Sequence, residues 1–399
     1  MNNNIPSFII KRNLQKSEKT GLYFSDVVTE DILQDICYRI TGLNEFNHQY
    51  VANDYEDDIL SATYNQGRLV ILKYNNSIKY ISISEECIEG RNSSIQSVPT
   101  SFNLYYLNKF DNKELYYYFL PIKSGNPKTD YHLFIYRLMA VIGFKFLNPE
   151  SIYLDVQPFL SINDLLLTRK DNSNRKTNNN STYITKNSRS EIEIYGKTYG
   201  ANKYETSLIC YAISFLIKEQ QKVILYQILD NNLKELPKNS LLVIKKMQKI
   251  TKIISVSSSF NRGVGKLNLR SPRYIFNLLD RLGDKLCALC HCAIPEIVEA
   301  AHIWDIASIK NNELISDEEK FRHAISEHNG IWLCSNHHKL FDKDIIKLTN
   351  EGNIEFNISS NKDVNYLQET TKVTQIPNHY MSNEFKEYLM KRNVNSKLK

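Results

Sequence analysis

Two short motifs in the second half of the chain place cysteine and histidine at the spacing of metal ligands. Cys287 and Cys290 form a CxxC pair, the spacing at which two thiolates reach one tetrahedral ion from a tight turn. Cys334 and His337 form a CxxH pair further along the chain. Together the two pairs make a Cys3His set, which predicts a structural Zn²⁺ site.

Two neighbouring residues, His291 and Cys292, are alternative ligands of lower rank. A ligand directly after Cys290, or two residues after it, would strain the turn. Zinc-binding loops are common in proteins without catalytic function, so the Cys3His set alone predicts only a structural zinc module that binds DNA or protein. The residues between and after the two pairs decide whether chemistry is added.

Three polar residues in and after this interval have types suited to acid–base or metal chemistry. His302 stands in Ala301-His302-Ile303, Asn329 precedes Gly330, and His338 directly follows the second zinc motif. Taken singly, a histidine on an apolar strand is usually a hydrogen-bonded core residue, and Asn-Gly is usually a turn. Taken in order and tied to the zinc pairs, the three favour a functional site.

This pattern resembles the HNH endonucleases, in particular the branch with AHI, then NG, then LCxxHHxxFD. The resemblance covers residues 287–342. It implies a ββα-metal fold in which the Cys3His zinc is structural. It also implies that His302, on the first strand, is the general base, that Asn329 orders the connecting loop and orients the base, and that His338, on the helix after the second strand, ligates a catalytic Mg²⁺ or another divalent ion.

The chemistry implied by the resemblance is metal-dependent hydrolysis of phosphodiester bonds in double-stranded DNA. That reaction needs an activated water and a metal that stabilises charge on the phosphate and on the leaving oxygen. A neutral imidazole takes a proton from water near pH 7, because its pKa lies close to that pH. His302 and His338 are the candidates for these two tasks.

One position departs from the family pattern. Many HNH proteins have His or Asp directly before the base as a second metal ligand, and here that position is Ala301. Two alternatives follow. Either His338 holds the metal with water and phosphate, or another carboxylate such as Asp342 contributes.

The elements that lead into the first cysteine pair are basic. Between Asn261 and Leu286 six basic side chains stand against two acidic ones. Such a run is often an ordinary solvated face, but beside a nuclease module it favours contact with DNA phosphates. The predicted phosphate contacts are Arg262, Lys266, Arg270 and Arg273.

The first part of the chain reads as mixed α and β. A helix is predicted over Glu30–Thr41 with Thr29 as N-cap and Gly42 as its end, and another over Tyr131–Ile142 after Thr129, ending at Gly143. Strands at 68–74 and 78–83 flank Asn75-Asn76, which predicts a hairpin. A strand near Glu191 and an apolar helix near 206–218 follow.

The predicted fold class is α+β, with mixed N-terminal α/β regions before a zinc-stabilised ββα-metal module. Residues 171–182 are polar and lack apolar anchors, which predicts a linker or exposed loop. We therefore expect a recognition or regulatory domain at 1–170, a middle segment at 171–260 and the nuclease domain at 261–399.

Composition limits the classes of protein that the chain could belong to. It has 399 residues, 42% of them hydrophobic, enough for more than one core. Seven cysteines, four of them close to histidines, suit reduced thiolates on a metal better than a disulfide framework. We found no secretory signal and no long apolar run, so the expectation is a cytoplasmic protein without membrane contact. The net charge of +6 alone says little about partners.

Three functions are compatible with these observations. The first is a bacterial restriction endonuclease of type II-like organisation, in which the N-terminal regions recognise a DNA sequence or a modified base. It is favoured because 193–205 resembles a segment of bacterial restriction enzymes, where Lys197 and Lys203 could contact phosphates. The structural alternative for that segment is a strand and turn leading into a buried helix.

The second function is an antiphage effector whose N-terminal sensor gates the nuclease, and the third is a non-catalytic zinc protein that binds DNA. Cutting both strands with one site per chain favours a homodimer. A restriction enzyme would also have a cognate DNA methyltransferase as its partner in the same system.

Overall fold

The computed structural model describes most of the chain, in thirteen stretches. These are residues 5–11, 28–51, 69–84, 97–120, 130–152, 155–173, 182–187, 189–198, 202–218, 220–229, 235–257, 272–294 and 296–396. The chain divides into two compact units, each assembled from separate stretches of sequence. The first unit comprises Met1–Asn172, Gly196–Gln220 and Lys234–Thr251, and the second comprises Ser173–Tyr195, Gln221–Leu233 and Lys252–Lys399.

A mixed six-stranded sheet forms the centre of the first unit. Its strand order is β2-β1-β3-β4-β5-β6. The strands are β1 (Ser7–Lys11), β2 (Asn47–Val51), β3 (Leu69–Tyr74), β4 (Ser77–Ile83), β5 (Lys113–Tyr118) and β6 (Phe144–Phe146). Strands β3 and β4 are buried over most of their length, as expected for strands covered on both faces.

Helices of the first unit pack against this sheet and against one another. They are α1 (Glu30–Thr41), α2 (Ser97–Leu107), α3 (Asp130–Val141), α4 (Ile162–Ser173), α5 (Asn202–Leu216) and α6 (Lys238–Met247). The predicted limits of α1 are confirmed: the Thr29 side chain accepts a hydrogen bond from the backbone N–H of Ile32, and Gly42 ends the helix with φ 74°. Only glycine adopts that left-handed conformation without a steric penalty.

The predicted hairpin in the first unit is also confirmed. Strands β3 and β4 pair antiparallel around Asn75 and Asn76. Their φ angles are 50° and 52°, the positive values that a two-residue type I′ turn requires. Asparagine tolerates this region better than most residues do, which explains its use here.

Two other predicted boundaries differ from those in the structure. Helix α3 was predicted to begin after Thr129, which lies outside the described residues, and it ends at Val141 before Gly143. The linker predicted from Asp171 is wrong at its start, because helix α4 continues through Ser173. Polar composition marks a segment without core contacts, but it does not mark the residue at which a preceding helix ends.

The second unit combines a four-stranded sheet with the C-terminal part of the chain. The sheet has the order β10-β9-β8-β7. Its strands are β7 (Thr182–Lys186), β8 (Ile192–Lys197), β9 (Val223–Leu229) and β10 (Lys252–Ser257). The predicted strand near Glu191 and the following helix correspond to β8 and to α5 of the first unit.

The rest of the second unit contains the predicted ββα arrangement. Its helices are α7 (Pro272–Leu282), α8 (Ile306–Asn311), α9 (Asp317–Ile325), α10 (Ser335–Asp342), α11 (Asn361–Thr370) and α12 (Asn383–Ser396). Its strands are β11 (Val298–His302), β12 (Gly330–Cys334), β13 (Ile346–Leu348) and β14 (Ile354–Phe356). The α+β class with a C-terminal ββα module is therefore confirmed. None of the described helices is long and apolar enough to cross a membrane.

One hydrophobic core joins the sheet of this unit to the ββα module. The cluster includes Tyr183 and Tyr195 from the sheet, Phe276 from α7 and Trp332 from β12. The rings of Tyr183 and Phe276 meet edge to face with centroids 5.3 Å apart. Helix α7 thus packs between the sheet and the module within one folded unit.

Candidate metal cluster and active site

The four residues of the Cys3His set lie together in the second unit. Their ligand atoms are all within 4.8 Å of one another. The Sγ atoms of Cys290 and Cys334 are 3.8 Å apart, and Nδ1 of His337 is 3.2 Å from Sγ of Cys334 and 3.6 Å from Sγ of Cys287. Thiolates about 2.3 Å from a tetrahedral zinc would be about 3.8 Å apart. The donor set therefore fits a Zn²⁺ ion in both chemistry and spacing.

Backbone hydrogen bonds shape the turn that carries the first two cysteines. The N–H of Cys287 donates to the carbonyl of Cys292, and the N–H of His291 donates to the carbonyl of Cys287, both at 2.9 Å. His291 has a positive φ of 59°, which closes the turn. His291 and Cys292 are not part of the one metal-binding group found among the described residues.

Further contacts hold the cluster from the C-terminal side. Nε2 of His337 lies 3.2 Å from the hydroxyl of Thr371, just after α11, and the N–H of Lys372 donates to the carbonyl of Leu289 at 2.8 Å. A hydrogen bond at the second ring nitrogen fixes the orientation of a metal-binding histidine. Burial raises the pKa of the Cys290 thiol to about 12. A bound zinc ion would offset the cost of charging this thiol.

The ββα module places the three predicted active-site residues on adjoining elements. Strands β11 and β12 pair antiparallel, with His302 opposite Gly330. Asn329 lies at the end of a 3-10 turn directly before β12, and His338 lies in α10 directly after it. Helix α10 also packs against β11. The two histidines are therefore brought to the same module.

His302 is held on two sides. Its Nε2 is 2.9 Å from the carbonyl oxygen of Ala324, near the end of α9. Carbonyl groups in the last turn of a helix have no partner within the helix, and the imidazole N–H satisfies this one. Because a carbonyl only accepts, Nε2 carries the proton and Nδ1 is the basic nitrogen of the neutral ring. The ring of Tyr274 stacks on the imidazole at 3.9 Å between centroids and 16° between planes.

Asn329 is fully buried and fixes the loop that follows His302. Its Oδ1 accepts from the N–H of Trp304 at 2.8 Å, and its Nδ2 donates to the carbonyls of Trp304 and His323, both at 3.1 Å. A side chain with both a donor and an acceptor is needed to bind both backbone groups of Trp304. This arrangement suits the loop-ordering task that the family resemblance implies.

His338 lies between two carboxylates. Its Nδ1 is 2.7 Å from Oε2 of Glu299 on β11, and its Nε2 is 3.5 Å from Oδ2 of Asp342, one turn later in α10. Two ligands of one divalent ion, each about 2.1 Å from it, lie roughly 3 to 3.5 Å apart. Nε2 of His338 and the carboxylate of Asp342 could therefore hold a divalent ion together.

Glu299 was not among the residues singled out from the sequence. Its carboxylate binds Nδ1 of His338 and also accepts from the hydroxyl of Ser335 at 3.3 Å. A carboxylate on the second nitrogen of a metal-binding histidine orients the ring and makes it a better ligand. The available signal was an acidic residue on the same short strand as His302, three residues before it.

Arg392 was missed as well. From α12 it donates to the carbonyls of Ile303 and Phe341 at 3.2 and 2.5 Å and pairs with Asp344 at 2.9 Å. Its guanidinium also stacks on the Phe341 ring at 3.7 Å. The buried arginine thus connects the residue after β11 to the end of α10.

The predicted phosphate contacts lie mostly outside the described residues. This applies to Arg262, Lys266 and Arg270. Arg273 lies in α7, where it is half-buried and its Nη1 donates to the carbonyl of Leu229 at 3.4 Å. Of the residues considered in 193–205, Lys203 is half-buried beside the Tyr204 ring at 5.1 Å. The side chain of Lys197 lies outside the description.

Comparison with known proteins agrees with this geometry. Residues 287–348 match the family model of HNH endonucleases. No curated protein matches the chain. Residues 287–348 of the second unit therefore form an HNH endonuclease domain, as the resemblance of AHI, NG and LCxxHHxxFD to that family predicted.

Proposed function

We propose that the protein is a metal-dependent DNA endonuclease that hydrolyses phosphodiester bonds with His302 as general base. The observation that carries the proposal is the hydrogen bond from Nε2 of His302 to the carbonyl of Ala324. This contact keeps the ring proton on Nε2, so Nδ1 is the nitrogen that can accept a proton. It also fixes the orientation of the ring. A base held in one orientation acts on a bound water without first having to be ordered.

In the proposed reaction, Nδ1 of His302 accepts a proton as the water oxygen forms a bond to phosphorus. The bond between phosphorus and the leaving oxygen of the sugar breaks in line with this attack. His338 and Asp342 would hold the divalent ion, and Glu299 would orient His338. When bound, Mg²⁺ or a similar ion stabilises negative charge on the phosphate and on the leaving oxygen.

The Cys3His cluster has a different proposed task. Its four ligand atoms would fill all four positions around a tetrahedral ion and leave no open position, which is typical of structural zinc. The ion would fasten the turn at Cys287 to the junction between β12 and α10. That junction carries His338, so the zinc supports the active site without taking part in hydrolysis.

We further propose a restriction endonuclease of type II-like organisation as the biological context. The first unit has its own sheet and its own buried core, which includes Phe8, Leu33 and Ile81. The residues proposed for hydrolysis all lie in the second unit, and target recognition is the use that a restriction enzyme would make of the first. A homodimer and a cognate methyltransferase belong to this proposal. An effector gated by the first unit is the second candidate.

The test is incubation of the purified protein with unmodified phage or plasmid DNA and Mg²⁺, followed by sequencing of the ends. Discrete fragments with a common end sequence would support restriction. A smear would support an effector with little sequence preference. Intact DNA that is nevertheless retained by the protein would contradict the nuclease and support the binding-only alternative.

A further inference from the structure

Helix α7 precedes the segment that matches the HNH family, yet it contacts residues 325–329, which lead from the end of α9 into β12. Three of its side chains, spaced three and four residues apart on one face, donate to backbone carbonyls of residues 325–329. These bonds run from Asn277 to Ile325 at 2.8 Å, from Arg281 to Glu327 at 2.9 Å and from Tyr274 to Asn329 at 3.3 Å.

Tyr274 makes the contact closest to the chemistry. Its hydroxyl is also 2.9 Å from the carbonyl of Ala301, the residue directly before His302. Burial raises the pKa of the Tyr274 hydroxyl well above its ordinary value, so the group remains a donor. The same side chain lays its ring flat on the His302 imidazole. Backbone and side chain of the base are therefore restrained by one residue.

Gly330 gives independent evidence that this approach is built into the module. Its φ of −142° is open to any residue, so backbone conformation does not require glycine. A Cβ atom at this position would lie 2.5 Å from the Tyr274 hydroxyl and 2.7 Å from a methyl group of Leu278. A side chain at this position would therefore force Tyr274 and Leu278 of α7, a helix outside the Asn-Gly motif, to move.

We infer that Tyr274 is a positioning residue for the general base, acting through the stack of its ring on His302. The inference rests on the proposed role of His302. The imidazole can rotate about the bond to its Cβ atom, and such a rotation would move Nδ1 away from the water that it is proposed to activate. The hydrogen bond to Ala324 opposes that rotation at one ring atom, and the Tyr274 ring opposes tilting of the whole ring.

The kinetic test uses three variants of the full chain and unmodified phage DNA with Mg²⁺. Tyr274→Phe keeps the stack and loses the hydroxyl, whereas Tyr274→Leu loses both. Phe276→Leu is the matched control, because Phe276 is fully buried in the same helix and contacts Tyr183. We expect Tyr274→Leu to lower kcat about 100-fold, the order of effect that misplacing a reacting group produces.

The remaining expectations concern KM, the zinc content and the two other variants. KM for DNA and the zinc content should stay unchanged in all variants, and Tyr274→Phe should keep kcat within about fivefold, since it retains the ring. Phe276→Leu should lower the thermal stability of the protein but leave kcat close to the wild-type value. The inference is wrong if Phe276→Leu and Tyr274→Leu lose kcat equally, or if Tyr274→Phe is as slow as Tyr274→Leu.

A spectroscopic measurement separates this inference from the proposed function. The ¹⁵N shifts of His302 report which ring nitrogen carries the proton. Wild-type protein, Tyr274→Phe and Phe276→Leu should show the proton on Nε2, whereas Tyr274→Leu should show a mixture of tautomers. An unchanged spectrum in Tyr274→Leu would overturn the positioning role. If no DNA is cut by wild-type protein, the proposed function fails, and the spectra still decide whether Tyr274 orders the ring.

Discussion

The two histidines that follow one another in the HNH motif face different surroundings. His337 is 2% exposed and lies within a closed group of three cysteines. The side chain of His338 is 24% exposed, and its carboxylate neighbours Glu299 and Asp342 are 51% and 56% exposed. A closed tetrahedral set suits an ion that only stabilises the fold, whereas an open set admits a phosphate and a water.

The two regions also differ in how their principal residues are arranged along the chain. The candidate zinc ligands form two short motifs, each complete within a single turn, and Thr371 and Lys372 add support from just after α11. The surroundings of His302 draw on α7, α9 and β12, and those of His338 draw on β11. Changes at the closed cluster, the Cys3His set, should therefore act on folding. Changes at the open edge, which comprises His302, His338, Glu299 and Asp342, should act on the reaction.

The largest expected effect is that of breaking the closed cluster. Cys334→Ser removes one thiolate from a buried set, and binding of structural zinc supplies on the order of 10 kcal/mol of folding free energy in small zinc domains. We expect the second unit to lose its cooperative thermal transition and the chain to lose its bound zinc. Calorimetry and elemental analysis measure the two quantities.

Cys292→Ser is the control for that experiment. Cys292 lies two residues after Cys290 but outside the metal-binding group, so its substitution should leave zinc content and melting temperature nearly unchanged. Equal losses in the two variants would contradict the assignment of Cys334. A zinc-free wild-type preparation with full thermal stability would contradict a structural zinc altogether.

The next effect in size is the loss of the base at the open edge. His302→Ala should lower the rate of cleavage by roughly 10² to 10⁴, the usual contribution of general base catalysis, with DNA binding and zinc content retained. Single-turnover cleavage assays and binding titrations check this. His291→Ala, an exposed histidine of the first cysteine turn, should cut at the wild-type rate. Near-normal cleavage by His302→Ala would show that another group is the base.

The same contrast explains how much of the site could be predicted from the sequence. Cys287 with Cys290, and Cys334 with His337, are close in sequence, so their spacing alone predicted a shared ion. Thr29, Gly42 and Asn75-Asn76 were equally local signals. In the structure Thr29 marks the start of α1, Gly42 marks its end, and Asn75-Asn76 form the hairpin turn. Local geometry repeats from protein to protein, so it can be predicted without knowledge of the rest of the chain.

Tyr274, Glu299 and Arg392 could not be predicted in this way. Each reaches the site from an element whose packing depends on the whole second unit, such as Arg392 from α12 to the carbonyl of Ile303. Arg273 shows the reverse: a basic residue in a basic run, yet its guanidinium donates to a backbone carbonyl. Side-chain type alone does not reveal which contacts a long-range fold provides.

An intermediate effect is expected for the carboxylates of the open edge. Asp342→Asn should weaken binding of the catalytic ion, and Glu299→Gln should do so by about 10- to 100-fold, as typical for a partner of a metal-binding histidine. The Mg²⁺ concentration that gives half-maximal cleavage measures both. Structural zinc should stay at wild-type content, because neither residue belongs to the Cys3His cluster.

Glu296→Gln provides the matched control for charge, since Glu296 precedes β11 and makes no contact with His338 among those described. It should leave the Mg²⁺ dependence unchanged. If Glu299→Gln also leaves that dependence unchanged, Glu299 merely pairs with His338 in the absence of metal. If only Asp342→Asn is normal, His338 holds the ion with water and phosphate, which was the other alternative left by Ala301.

The smallest expected effect concerns the basic residues before the cysteine pairs. If Arg262 and Lys266 neutralise phosphates, replacing both by Ala should weaken binding to all duplexes alike and make the dependence of log affinity on log salt shallower by roughly one unit per lost contact. Arg273→Ala should change that slope less, because the Arg273 guanidinium is half-buried and already donates to the carbonyl of Leu229.

If these residues read bases instead, each substitution should cost about 1 to 3 kcal/mol of binding free energy, and only on a preferred sequence. Titrations at several salt concentrations, on specific and random duplexes, separate these outcomes. An unchanged slope with unchanged affinity would make the run an ordinary solvated face, and the DNA-binding surface would then have to be sought on other parts of the chain.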